Sequence, residues 1–130
     1  MRKKKTITIL TILVFILIGS VSNWYVNFPA YEKLAEERID TYMAAQGIDK
    51  NKVSKKYSHK NYEQGRWSIY YEFDEEGISY HYEYDKSSDS ILLLIRYRGV
   101  PIEIIKKDVK YPAFDKGWTA FDESGNIVLK

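Results

Sequence analysis

The pattern of apolar and polar positions changes character twice along this chain. Residues 6–26 carry no charge, and Thr6-Ile-Thr-Ile-Leu-Thr-Ile-Leu-Val-Phe-Ile-Leu-Ile18 is apolar all round rather than on one stripe. About 20 such residues make roughly 30 Å of helix, enough to cross a bilayer core. From Ala30 to Gln46 the period becomes helical. Tyr31, Leu34, Ala35, Ile39, Tyr42 and Met43 recur at helix spacing, and Glu32, Lys33, Glu36, Glu37, Arg38 and Asp40 fill the other side. Pro29 suits the first turn of this helix, and Gly47 predicts a left-handed cap after which Ile48 packs back.

Beyond Gly47 the period falls to two. Lys52–Tyr57 predicts a polar edge strand. In Arg66–Asp74, Trp67, Ile69, Tyr71 and Phe73 alternate with Ser68, Tyr70, Glu72 and Asp74. The turn Asp74-Glu-Glu-Gly77 leads to Ile78–Asp85, where Tyr80, Tyr82 and Tyr84 alternate with Ser79, His81, Glu83 and Asp85. A second polar turn, 85–90, precedes Ile91, Leu93, Ile95 and Tyr97, which alternate with Leu92, Leu94, Arg96 and Arg98. Val100–Val109 reads as a further strand whose start Pro101 confines to an edge. Trp118–Phe121 and Ile127–Leu129 suggest a closing hairpin around Asp122-Glu-Ser-Gly125. The expected fold is α+β: an N-terminal transmembrane helix, then an amphipathic helix packed on one face of an antiparallel meander.

The ends of the apolar segment carry the topology. Arg2, Lys3, Lys4 and Lys5 precede it and should hold the N-terminus in the cytoplasm, while Trp24 and Tyr25 suit the outer interface. The expected division is a basic cytoplasmic tail at 1–5, a signal-anchor at 6–26 and an extracytoplasmic α+β domain at 27–130. Ser20-Val21-Ser22 offers small residues for a signal peptidase, so cleavage after Ser22 and secretion is the competing outcome. Both put the body of the chain outside. The chain has no cysteine, so no thiol is available for a lipid anchor or a disulfide, and the external part must stand on its own core.

Charge narrows the partners. The chain has 20 Lys and Arg against 18 Asp and Glu. Without the four N-terminal cations the remainder is 16 against 18, so the basic pI belongs to the anchor and is no nucleic-acid footprint. A local basic cluster, Lys50, Lys52, Lys55, Lys56, His59 and Lys60, suits a solvated face or contact with anionic lipid or wall polymer.

Signatures of catalysis are absent. His59 and His81 are the only histidines and lack the further ligands a zinc site needs. Asp74, Glu75, Glu76, Asp85 and Asp89 follow turn chemistry rather than a calcium loop. No serine lies in a nucleophile elbow, and no cofactor motif is present. What remains is aromatic. Trp67, Tyr70, Tyr80, Tyr82 and Tyr84 have rings suited to stacking on sugars or holding a peptide. One helix covers one sheet face, and the other carries Tyr70, Glu72, His81, Glu83, Arg96 and Arg98, a set suited to a protein or cell-envelope partner.

The order of a basic start, one membrane segment, a helix ending Ala44-Ala45-Gln46-Gly47-Ile48, Lys60-Asn61-Tyr62 and the run Tyr80-His81-Tyr82-Glu83-Tyr84 resembles a family of short, membrane-anchored proteins of unknown function from Gram-positive bacteria. More loosely, residues 30–94 are similar to the PepSY module of peptidase propeptides, through Tyr71-Glu-Phe, Gly77, Tyr80, Tyr82, Tyr84-Asp85 and Ile91-Leu92. That module has a glycine just before its last strand, where Asp89-Ser90 stands here. The resemblance implies a binding or inhibitory module facing the exterior. The leading expectation is a single-pass membrane protein whose external domain binds a partner. The alternatives are an envelope hydrolase using His81 and Glu83, and an immunity or stress protein acting through its membrane segment.

Overall fold

A computed structural model describes residues 2–73 and 76–129 of the chain. They divide into two units, 1–31 and 32–130. Helix α1 spans Arg2–Asn27 and α2 spans Pro29–Gln46. A 3-10 turn, Lys50–Lys52, leads to strands β1 (Lys55–Asn61), β2 (Arg66–Glu72), β3 (Ile78–Asp85) and β4 (Ser90–Tyr97). Short elements follow: β5 (Val100–Pro101), α3 (Ile102–Ile105), β6 (Thr119–Phe121) and β7 (Ile127–Val128).

The α+β layout is as the pattern predicts, an apolar helix followed by an antiparallel meander. Among the described residues seven strands form one sheet in the order β1-β2-β3-β4-β6-β7, with β5 pairing beside β4. Trp67 lies opposite Tyr84, Ile69 opposite Tyr82 and Tyr71 opposite Tyr80. Tyr80, Tyr82 and Tyr84 in turn face Ile95, Leu93 and Ile91. Because side chains alternate between faces, this register gathers every one of these residues on one side, and all are buried. Trp67, Tyr80, Tyr82 and Tyr84 are therefore core. Of the five rings considered for ligand stacking, only Tyr70 lies on the opposite face.

Helix α2 covers the apolar face with Ala35, Ile39, Tyr42 and Met43, all buried. Tyr42 meets Tyr82 edge-on at 5.8 Å, a favoured aromatic geometry. Gly47 adopts φ +82°, and Ile48 donates its N–H to the Met43 carbonyl at 3.0 Å, closing the helix as expected. One helix does not cover the whole face. The irregular stretch between α3 and β6 completes the lid. Gln46 Nε2 donates to the carbonyls of Tyr111 and Pro112 at 3.1 Å each, and Phe114 N donates to the Tyr42 hydroxyl at 3.0 Å. The Tyr111 ring packs against Phe73 and Tyr80.

Two expectations change. The long strand at 100–109 is only β5, because the chain folds into the single turn α3 and reverses at Lys106 in the left-handed conformation, φ +51°. The first strand also begins and ends later than 52–57, because Asp49 caps the 3-10 turn by accepting from Asn51 N. Asp74 and Glu75, in the first predicted turn, lie outside the described residues.

A polar clasp ties α2 to the β3–β4 turn and to β6 beside it. Arg38 donates Nε and Nη2 to the two carboxylate oxygens of Asp89 at 3.0 and 3.2 Å, and Tyr84 Oη donates to Asp89 Oδ1 at 2.6 Å. The guanidinium also lies 5.4 Å from the Phe121 ring centre. The hydrogen bond to Asp89 raises the Arg38 pKa above its usual range, so the guanidinium stays charged. Arg38→Ala is expected to destabilise the domain by about 1.5–3 kcal/mol, the usual range for a charge-assisted pair. A melting temperature within one degree of the parent would refute the clasp.

Candidate functional site

The face opposite α2 is assembled from alternate residues of four strands. Tyr57 pairs with Tyr70, His59 with Ser68, Tyr70 with His81 and Ser68 with Glu83. On β4, Leu94 faces His81, Leu92 faces Glu83 and Arg96 faces Ser79. Three rings form a ladder across β1, β2 and β3. His59 and Tyr70 are 5.6 Å apart at 9°, and Tyr70 and His81 are 3.9 Å apart at 16°. The outer end of the face is open, with Tyr57 57% exposed.

The inner end is polar and tightly packed. His81 is 6% and Glu83 7% exposed. His81 Nε2 stands 3.6 Å from Glu83 Oε1, beyond hydrogen-bond reach, and neither ring nitrogen of His81 has a hydrogen-bond partner. Glu83 instead accepts from Arg66 Nη1 at 3.3 Å, and Arg66 stacks 4.6 Å from the Trp118 ring. Burial pushes the His81 pKa down to about 4, aided by the positive field of Arg96 and by His59. His81 is therefore a neutral imidazole at pH 7, with one donor and one acceptor unused.

Of the residues expected on this face, Tyr70, His81, Glu83 and Arg96 come together. Glu72 lies at the end of the ladder, opposite Lys55 and Ser79, and is exposed. Arg98 departs from the face. It sits in the turn after β4 with φ +49°, its guanidinium 5.2 Å from the Tyr97 ring. It lines a cavity of about 430 Å³ bounded by Glu72, Phe73, Gly77 and Ser79. A second cavity of about 230 Å³, beside Glu36, Asp40, Lys56 and Tyr71, lies between α2 and the sheet edge. Neither opens on His81 and Glu83, so these two cavities lend no support to a hydrolytic site at that pair.

His59, Arg66 and Trp118 belong to the site and were not anticipated there. His59 was legible in the turn chemistry. Asn61 Oδ1 accepts from the backbone N–H of Glu63 and Gln64, and Gly65 takes φ +68°. That turn carries β1 on to Asn61 and sets His59 beside Tyr70. Trp118 reaches Arg66 only through the β4–β6 pairing, which no local pattern announces.

In α1, Arg2, Lys3, Lys4 and Lys5 form the first turn, and Trp24 and Tyr25 are exposed near the end. Four cations there oppose the helix dipole, so their placement does not serve the helix itself. Thr6, Thr8 and Thr11 each return their hydroxyl to the carbonyl four residues earlier at 2.8–2.9 Å, leaving those donors with no need of water. The segment is long and apolar enough to serve as a membrane anchor or a signal sequence.

A family model described as a protein of unknown function, DUF3139, matches residues 2–84. The chain belongs to that family. Neither a curated protein nor a solved structure matches it. The DUF3139 match runs from α1 to the penultimate residue of β3. It includes Tyr70, Glu72, His81 and Glu83 and leaves Arg96, Arg98 and Trp118 outside.

Protonating His81 costs the folded state more than the unfolded chain, where the ordinary pKa is near 6.5. Stability is therefore full above about pH 6.5 and declines as pH falls towards 4, by up to roughly 3 kcal/mol. His81→Phe keeps a ring against Tyr70 and should flatten that part of a urea-midpoint profile. An unchanged slope between pH 6.5 and 4 would show that His81 is not the titrating group.

Proposed function

We propose that the chain is a single-pass membrane protein, N-terminus inside, whose external domain binds a protein or a cell-envelope component through the sheet face opposite α2. The observation that carries this reading is the ring ladder His59–Tyr70–His81, which ends in a buried imidazole with both nitrogens unpaired. Buried polar groups in native domains are almost always partnered, and a ligand group at this face would meet that need. Rigid aromatic area beside Leu92, Leu94 and Arg96 fits a peptide or protein surface at low entropic cost.

Orientation rests on the cations at the start of α1 against the Trp24-Tyr25 pair near its end. The retained anchor is favoured over cleavage after Ser22, and the resemblance to short membrane-anchored proteins implies a Gram-positive envelope as the setting. The PepSY-like reading gains one support. Asp89 takes φ +45°, so the aspartate keeps the left-handed backbone that a glycine at that place serves, while its carboxylate is used in the clasp with Arg38.

A chain without cysteine allows unique labels. Ser124→Cys, in an exposed turn, should react with a membrane-impermeant maleimide on intact cells, and Lys3→Cys only after permeabilisation. The reverse pattern would invert the topology. For the face, a photo-reactive residue replacing Tyr70 or Arg96 should trap one specific partner in intact cells. A probe replacing Glu37, on the outer side of α2, should not. Equal, unspecific adducts at all three positions would rule the face out as the interface.

A further inference from the structure

The turn after β4 presents an apolar tip to solvent. Val100 is 39%, Ile104 73% and Ile105 42% exposed. The tip is built rather than frayed. Arg98 N donates to the Gly77 carbonyl at 2.8 Å, and Lys107 N donates to the Ile102 carbonyl at 3.2 Å. Arg98, Gly99 and Lys106 all hold left-handed backbone, two of them without a glycine's freedom. Lys107 Nζ lies 4.6 Å from the Tyr97 ring, which holds the cation at the end of β4.

Charge gathers at the same place. Residues 98–110 hold Arg98, Lys106, Lys107 and Lys110 against Glu103 and Asp108, a net of +2. The whole of 28–130 has 16 basic and 18 acidic residues, so the remainder beyond this stretch is near −4. An apolar tip rimmed by cations on an otherwise acidic domain is complementary to an anionic bilayer, in which branched side chains enter the acyl boundary and amines meet phosphates. A second copy would bring the same cations together, and charge disfavours that occupant. Only Phe28 separates α1 from α2, so a domain of about 100 residues stays within a few nanometres of any bilayer that α1 spans.

We propose that Val100, Ile104 and Ile105 form a second membrane contact, inserted at the interface of an anionic bilayer with Lys106, Lys107 and Lys110 on its headgroups. This rests on α1 being a retained anchor and is independent of the binding face. The test uses the full chain in vesicles of phosphatidylcholine, alone or mixed with phosphatidylglycerol. An environment-sensitive fluorophore is attached through Ile104→Cys, and through Ser124→Cys as reference. In the mixed vesicles the Ile104→Cys probe should shift to the blue and lose intensity to acyl-chain spin labels, while the reference does not. The shift should vanish in phosphatidylcholine alone and in the triple variant K106E, K107E and K110E. Failure of the chain to float with vesicles overturns the anchor and this contact with it. A floating chain whose Ile104→Cys probe behaves like the reference overturns the contact alone. A blue shift that ignores lipid charge and escapes the acyl-chain spin labels, with disulfide-linked dimers of the unlabelled Ile104→Cys chain, would replace the lipid by a second copy.

Discussion

A helix with its side chains is about 10–12 Å wide, whereas strands lie about 4.8 Å apart, so one helix covers little more than two strands. The arrangement of this domain follows from that shortfall. The apolar face spans β2, β3 and β4, and α2 seals only part of it. The stretch containing Tyr111 and Phe114 must therefore come back over the sheet without regular structure of its own. Its place is held by polar contacts with the last turns of α2, at Tyr42 and Gln46.

Tyrosine serves this design where phenylalanine would not. A buried tyrosine brings a hydroxyl that has to be satisfied, and three of these hydroxyls end where two segments meet. Tyr42 accepts from Phe114 N, Tyr82 donates to Gln46 Oε1 at 2.7 Å, and Tyr84 donates to Asp89. The rings supply apolar area while their tips fix which segment lies where. The opposite face applies the same residue type differently. Tyr70 stacks between two histidines in a half-exposed ladder.

Much of this was legible in the chain. Period-two alternation in 66–74, 78–85 and 91–98 placed three strands and sorted their side chains between faces, because an antiparallel meander with short turns leaves little freedom of register. The α2 stripe and its glycine cap were equally local signals. What escaped was non-local or encoded by competing propensities. Val100–Val109 has strand-like residues, yet Pro101 and the reversal at Lys106 break the ladder after two of them. Arg38 looked like one more polar residue on a solvated helix side, and only the fold brings Asp89 across 51 positions to meet it. Arg98 matched the alternation of β4, but the strand ends one residue earlier at Tyr97.

The dry environment of the core tyrosines also sets a chemical limit on the fold at high pH. Desolvation raises the ionisation of Tyr71, Tyr82 and Tyr84 above the ordinary phenol value, with Tyr84 held further by the Asp89 carboxylate. Their protonated forms belong to the folded state, so the stability linked to them is complete below about pH 10 and is withdrawn as pH climbs beyond it. Alkali would then act on the domain through its centre rather than its surface. Phenolate formation at these three residues would become a measure of unfolding itself, and their share of the tyrosinate absorbance would rise cooperatively with the loss of the sheet.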